Sequence, residues 1–237
     1  MRNVISLVKA ATACAALLVA STAAVDAGFS AKVTVGANML VIVDNDANDT
    51  NKANNQIGSN VTVGGYNFNI IATTDAPGVG NAGTVTNGTI AVRRTASAVG
   101  DNVATVELIS TNFTVFPLGQ TVQVDNAIAT TLLRGSSTAT GSSTYDGQTT
   151  TDASVSGPVV GGFAADATTR SATTNNSPTT ISNLLTFTGL SNTNNDGLTD
   201  ANVNLTTAVT AVVPVPPALA LLASALPFAI FMRRRKA

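Results

Sequence analysis

The chain has no Trp and no His, and its single Cys is Cys14. Aromatic residues make up 4% and charged residues 11% of it, against about 25% charged in an average globular protein. Each shortage excludes something. Without His, and with the one thiol close to the N-terminus, the common nucleophile–base pairs, thiol chemistry and imidazole zinc sites are missing. No disulfide can form within the chain, so stability has to come from packing and sheet hydrogen bonds. Between the terminal segments the only cations are Lys32, Lys52, Arg93, Arg94, Arg134 and Arg170. They form no basic cluster of the kind that neutralises phosphates, which argues against a nucleic-acid partner. Glu107 is the only Glu, and a strand carrying it by alternation would leave it exposed. No Gly-rich phosphate loop is present, and the thin stock of catalytic groups argues for a protein that is not an enzyme.

Thr, Asn, Ser, Ala, Gly and Val take the place of charge. At the N-terminus Arg2 and Lys9 precede an apolar stretch, Ala10 to Ala20, and then small residues. This is the layout of a signal peptide, with cleavage expected after Ala27 or, alternatively, after Ala24. The apolar run is shorter than the ~20 residues that span a bilayer. At the other end Val213, Pro214, Val215, Pro216 and Pro217 precede an apolar stretch from Ala218 to Met232, closed by Arg233, Arg234, Arg235 and Lys236. The prolines hold the chain extended and fit the first turn of a helix. The apolar stretch reads as a short membrane helix whose basic end stays cytoplasmic, leaving the polar middle outside.

This tripartite tail resembles the PEP-CTERM sorting signals of Gram-negative bacteria, in a Val-Pro-x-Pro variant with Val215 where the commonest form has Glu. The resemblance implies processing by an exosortase near Val213–Pro217. The protein would pass transiently through the inner membrane and reach the cell surface or an extracellular matrix, with exopolysaccharide as a partner. A simple tail anchor in the inner membrane, facing the periplasm, is the other reading of the same residues.

The middle expects an all-β, antiparallel, sandwich-like domain. Its β-rich part is expected at 28–134, with further strands among Ser/Thr/Asn-rich loops at 135–212 and the tail from 213. Tyr66, Phe68, Ile70 and Ala72 fall on one face of a strand that follows Val61 to Val63 across Gly64-Gly65, the pattern of a hairpin. Asn87-Gly88, between Thr84-Val85-Thr86 and Thr89 to Val92, predicts a second hairpin with a type I′ turn. Further strands are expected at Val103 to Ser110, Asn112 to Phe116, Thr121 to Val124, Ala127 to Leu133, Pro158 to Ala165, Ile181 to Leu190 and Val203 to Val212. The tracts Gly135 to Asp152 and Thr168 to Thr180 read as flexible loops, because they carry little apolar surface to offset ordering entropy.

Asp44, Asp46, Asn48 and Asp49 place oxygen ligands in a calcium-loop-like spacing, although Asp49 stands where an EF-hand has Gly and Asn55 where it has Glu. Asn192 to Asp200 is a similar stretch. Asp and Asn also dominate ordinary turns, so both readings stand. Asn48, Asn60, Asn87, Asn112, Asn175 and Asn204 each begin an Asn-x-Ser/Thr triplet, the glycan acceptor pattern. The sequence expectation is a non-enzymatic structural or adhesive surface protein. A calcium-dependent carbohydrate-binding module is the alternative, which exposed aromatics near the Asp-rich loop would favour.

Overall fold

The structure, a computed structural model, describes residues 28–75, 84–95, 103–113, 116–190 and 198–212. The expected termini, with the motif Val213–Pro217 and the basic run Arg233–Lys236, lie outside these residues. Alternation of apolar and polar residues sets the architecture, since successive strand side chains point to opposite faces. In chain order the strands are β1 (Phe29–Val35), β2 (Asn38–Val43), β3 (Gln56–Val63), β4 (Tyr66–Thr74), β5 (Thr84–Arg94), β6 (Val103–Phe113) and β7 (Thr121–Leu133). They continue as β8 (Thr138–Tyr145), β9 (Gln148–Thr149), β10 (Ala153–Ser156), β11 (Val159–Thr173), β12 (Thr179–Thr188) and β13 (Ala201–Ala211). Two antiparallel sheets pack as a sandwich. The first has the order β10-β8-β12-β6-β1-β2, with β9 added beside β8, and the second β11-β7-β13-β5-β4-β3.

The hairpin at Gly64-Gly65 forms as expected. Val63 pairs with Tyr66, and both glycines have positive φ, 57° and 82°. Tyr66, Phe68, Ile70 and Ala72 are all buried.

The second hairpin does not form. β5 runs straight through Asn87-Gly88, which pairs with Thr73-Ala72 on one side and Thr206-Leu205 on the other. Gly88 is there for space: a Cβ on it would lie 2.5 Å from Leu108 Cδ1 of the opposite sheet. Gly141 of β8 makes the reciprocal socket, where a Cβ would lie 2.7 Å from Leu205 Cδ1. Each sheet therefore receives a leucine of the other into a glycine gap. Among the described residues the Asx-Gly pair that turns the chain is Asp146-Gly147, with φ of 50° and 76°, between β8 and β9.

Both tracts expected as loops are largely strand. β8 occupies much of Gly135 to Asp152 with strictly alternating burial, its inward residues being Ala139, Gly141, Ser143 and Tyr145. β11 extends to Thr173, paired along β7. Threonine is a good strand former, and small inward residues suit a site filled from the facing sheet, so low hydrophobicity there does not mean disorder. Asn112 and Phe113, expected to open a separate strand, end β6, and residues 114–115 lie outside the described residues; Thr121 to Leu133 forms one strand, with Asn126 in its middle.

Asn126 belongs to a buried polar row that crosses the sandwich. In the second sheet Asn126, Thr207, Thr86 and Thr74 are successive cross-strand partners on four strands. Ser143 and Asn183 are partners in the first sheet. Asn126 Nδ2 donates to the Gly141 carbonyl at 2.8 Å, and Ser143 Oγ lies 3.0 Å from Asn126 Oδ1. The Ser143 and Thr207 hydroxyls touch, Thr207 Oγ1 donates to Asn183 Oδ1, and Asn183 Nδ2 donates to the Thr86 carbonyl at 3.3 Å. Thr74 Oγ1 sits 3.2 Å from Thr86 Oγ1 and 3.5 Å from Ser110 Oγ. On one side of the row lies the larger core around Phe29, Phe68, Leu108 and Phe187. On the other is a smaller one of Phe116, Val122, Val124, Tyr145, Ile181 and Val209.

Gly88→Ala is expected to destabilise the fold by about 1–3 kcal/mol through overpacking. Denaturant unfolding checks this, and Leu108→Val in the same chain should recover part of the loss. No recovery would mean that Leu108 is not the group Gly88 accommodates.

Candidate functional site

The outward face of the second sheet is rich in amides and hydroxyls, set around the exposed Ile71 of β4. Alternation turns Asn60, Asn67, Asn69, Asn87, Asn202 and Asn204 outward, with Thr62, Thr73, Thr89 and Thr206 between them. They meet across strands, Asn60 opposite Asn69, Asn87 between Thr73 and Thr206, and Thr89 opposite Asn204. Asn67 Nδ2 donates to Asn60 Oδ1 at 3.1 Å, Thr89 Oγ1 to Asn204 Oδ1 at 2.6 Å, and Thr206 Oγ1 to Asn87 Oδ1 at 3.2 Å. These bonds hold the side chains in fixed positions while leaving each carboxamide further donor and acceptor capacity.

On this face a shallow hollow of about 310 Å³ is lined by Asn60, Asn67, Asn69, Ala91, Val92, Arg93 and Thr199. Its walls offer carboxamides, a hydroxyl and a guanidinium. A carboxamide binds neighbouring hydroxyls in pairs, accepting from one and donating to the other, without carrying charge. The volume sits at the lower end of the range for small-molecule sites.

Tyr66 and Tyr145 provide no stacking surface on the exterior, since both are fully buried; Tyr66 instead lies under the Arg94 guanidinium, 5.6 Å from the ring centroid. Phe163 is 73% exposed, carried on β11 at the irregularity between Val160 and Ala164. It stands at the edge of the second sheet opposite the hollow. The sequence signal for it is Gly161-Gly162 just ahead, a bulge that re-aims the side chain.

The Asp44–Asp49 loop is closed on itself. Asp46 Oδ2 accepts from Val43 N at 3.0 Å, and its Oδ1 accepts from Asn48 N and Asp49 N at 2.7 and 3.0 Å. Asp49 is buried and accepts from Asn45 N, Asn51 N and Gly58 N, each at 2.9 Å. Asp44 Oδ2 accepts from Asn55 N at 2.7 Å, and the Asn48 carbonyl accepts from Ser59 Oγ at 2.9 Å. Lys52 Nζ donates to the Asp46 and Asp49 carbonyls at 2.5 and 2.6 Å. Apart from Asp44 Oδ1, which is buried without a hydrogen-bond partner among the described residues, the carboxylate oxygens serve amide N–H groups, and the Lys52 ammonium covers the Asp46 and Asp49 carbonyls. Among the described residues no group of three or more acidic, His or Cys side chains is placed to hold a metal. Of the second Asp/Asn-rich stretch only Leu198, Thr199 and Asp200 are described, and Asp200 Oδ2 accepts from Arg94 N at 2.7 Å.

Hydrogen bonding from the Val43 N–H, opposed by desolvation and aided by the Asn48 and Asp49 N–H groups and the Lys52 charge, holds the Asp46 carboxyl below the usual carboxylate range. At Asp146 burial pushes upward, but the Asn176 side chain and the Asn175 and Asn176 N–H groups outweigh it, and the carboxyl is again held low. Burial raises the Tyr145 phenol, against its 2.8 Å bond with Thr174 Oγ1. Three of the glycan-acceptor asparagines, Asn60, Asn87 and Asn204, lie exposed on the amide face, and Asn48 and Asn175 are exposed elsewhere.

No protein-family model and no curated protein matches the chain. Among solved structures, the enzymatically active domain of bacteriophage CBA120 tailspike protein 4 aligns at 8% identity and a TM-score of 0.28, over 62% of this chain and 19% of that one. TmCBM61, solved with β-1,4-galactotriose, aligns at 9% identity and 0.28, over 61% and 88%. Isomalto-dextranase of Arthrobacter globiformis T6, solved with panose, aligns at 11% and 0.26, over 63% and 24%. Similarity at this level carries no ligand or activity to this chain.

Both depressed carboxyls give stability that is fully present above the unfolded-state value of about 3.9 and is lost as pH falls through the lower folded value. The Asn48, Asp49, Asn175 and Asn176 amides are therefore expected to lose hydrogen-exchange protection as pH drops below about 3.9, after correction for intrinsic rates. Unchanged protection down to about pH 2 would remove the carboxylates as their partners.

Proposed function

We propose that this is an exported, non-enzymatic structural or adhesive protein of the cell surface or extracellular matrix. It is processed at its C-terminal sorting signal by an exosortase-type enzyme and holds exopolysaccharide on the outer face of its second sheet. The observation that carries the reading is the in-register array of Asn and Thr on that face, with its hollow between Asn60, Asn67, Asn69 and Arg93. Carboxamides and hydroxyls complement the hydroxyl pairs of a sugar chain, and supply no group that titrates near neutral pH for acid–base chemistry. A sheet face suits an extended polymer, because repeating strands at about 4.8 Å spacing offer repeated contacts along it. The chain's single Cys and scarce charge agree with a place outside the cell.

Affinity electrophoresis through gels containing the host's exopolysaccharide tests the reading. Asn67→Ala and Asn204→Ala should each weaken retardation about 5-fold or more, the loss of one or two net hydrogen bonds. Thr140→Ala, on the outer face of the other sheet, should leave it unchanged. Equal retardation of all variants, or none of the parent chain, overturns the assignment of this face. Intact-mass analysis of surface and medium fractions should find residues 1–27 and the segment beyond Pro216 removed; Arg233 to Ala237 retained on inner-membrane protein would mean a simple tail anchor.

A further inference from the structure

Among the described residues four strands end the two sheets, and three are clasped, capped or edged with polar side chains. β10 and β11 are clasped together, with Ser154 N donating to Asp166 Oδ2 at 2.8 Å and Thr168 Oγ1 to the Thr151 carbonyl at 2.6 Å. β3 is covered at Gly58, whose N–H donates to Asp49 Oδ1 and whose carbonyl accepts from Thr50 N at 2.6 Å, and it carries polar Asn60 and Thr62 beyond. β2 is different. Its sequence, Asn-Met-Leu-Val-Ile-Val, has no charge and no proline, and Met39, Val41 and Val43 are 62%, 42% and 46% exposed. Apart from a cap by Asp46 at Val43, it carries none of the charges or prolines by which edge strands usually avoid pairing.

The pairing register states which backbone groups are free. β1 and β2 pair from Val35–Asn38 to Ser30–Val43, and Asp44 N donates to the Phe29 carbonyl at 2.9 Å, so the even-numbered residues of β2 exchange hydrogen bonds with β1. The odd-numbered ones face away. Val43 is already used, its N–H by Asp46 Oδ2 and its carbonyl by Asp46 N. Among the described residues no other group takes up Met39 and Val41, each of which has an N–H and a carbonyl aimed at the open edge.

We infer that β2 is an assembly edge whose occupant is β2 of a second copy, paired antiparallel about a two-fold axis at Leu40. That register sets Met39 opposite Val41 of the other copy, and the reverse, using all four free groups of each strand in four main-chain hydrogen bonds. No register that brings Val43 into the ladder does so without breaking its bonds to Asp46. The pair is isologous and closes after two copies. A strand of six residues spans about 20 Å, too short to reach the ~1,200 Å² of a stable interface, so the contact is weak in dilute solution and gains strength where many copies are held side by side. It does not depend on glycan binding by the other sheet.

The test uses the full chain with Cys14→Ser and Leu40→Cys. In the inferred register the two introduced thiols face one another in a non-hydrogen-bonded pair, with Cβ atoms about 4.5–5.5 Å apart, near disulfide reach. Mild oxidation at rising protein concentration should accumulate covalent dimer. Val41→Pro, which removes an outward N–H and leaves the β1 ladder intact, should cut dimer yield at least about 5-fold while circular dichroism stays unchanged. Val41→Lys should do the same by charge, covering the case in which the proline variant misfolds. Thr62→Cys on the edge of β3 should give little dimer. Absence of a Leu40→Cys dimer, a dimer insensitive to both Val41 changes, or equal cross-linking through Thr62→Cys overturns the inference.

Discussion

The structure depends on one buried row of hydrogen bonds, from Asn126 through Ser143, Thr207 and Asn183 to the Thr86 carbonyl, with Thr74 and Ser110 beyond. Alternation of apolar and polar residues decides which face of a strand turns inward, but a slip of two residues preserves that face. In strands built largely from Thr, Val, Ala and Asn, many such slips cost little in hydrophobic burial. The row removes that degeneracy. Moving any of its strands by two residues sets a carboxamide or hydroxyl against Val, Leu or Ile, and each unsatisfied group costs about 1–3 kcal/mol. Its bonds run between the sheets as well as within them, so they fix the sheets' relative position.

The rest follows from this alignment. With the sheets locked, Leu108 meets Gly88 and Leu205 meets Gly141. The core divides at the row, and the smaller part closes around the Phe116–Tyr145 pair, whose ring centroids are 6.2 Å apart in an edge-on arrangement. On the outside, the β5–β13 register that pairs Thr86 with Thr207 also sets Thr89 opposite Asn204, and the Gly64-Gly65 turn sets Asn60 opposite Asn69, which together give the amide face its order. Polar satisfaction within and much of the polar display without share one register.

Much of the fold was legible in the sequence. The Gly64-Gly65 hairpin and the inward set Tyr66, Phe68, Ile70 and Ala72 could be read directly, because two glycines and a clean two-residue period point the same way. Asn87-Gly88 misled, since an Asn-Gly pair satisfies a turn and a close sheet contact equally well, and only the facing Leu108 distinguishes them. β8 was hidden because its inward residues before Tyr145 are small and their burial is supplied by the other sheet. The amide face was invisible as a unit: its asparagines are spread from residue 60 to residue 204 and meet only through the β3–β4–β5–β13 pairings. The Asp44–Asp49 loop was found, but spacing of oxygens along a chain does not reveal whether they point at an ion or at the loop's own amides.

A double-mutant cycle between Thr207→Val and Asn183→Leu, by denaturant unfolding, tests the place of the polar row most directly. Each single change should cost about 1–3 kcal/mol by stranding its partner, while the double variant should lose clearly less than the sum, with a coupling of about 1 kcal/mol or more. Costs that add to within about 0.5 kcal/mol would contradict the account, leaving the two side chains as independent passengers in a sandwich aligned by hydrophobic packing alone.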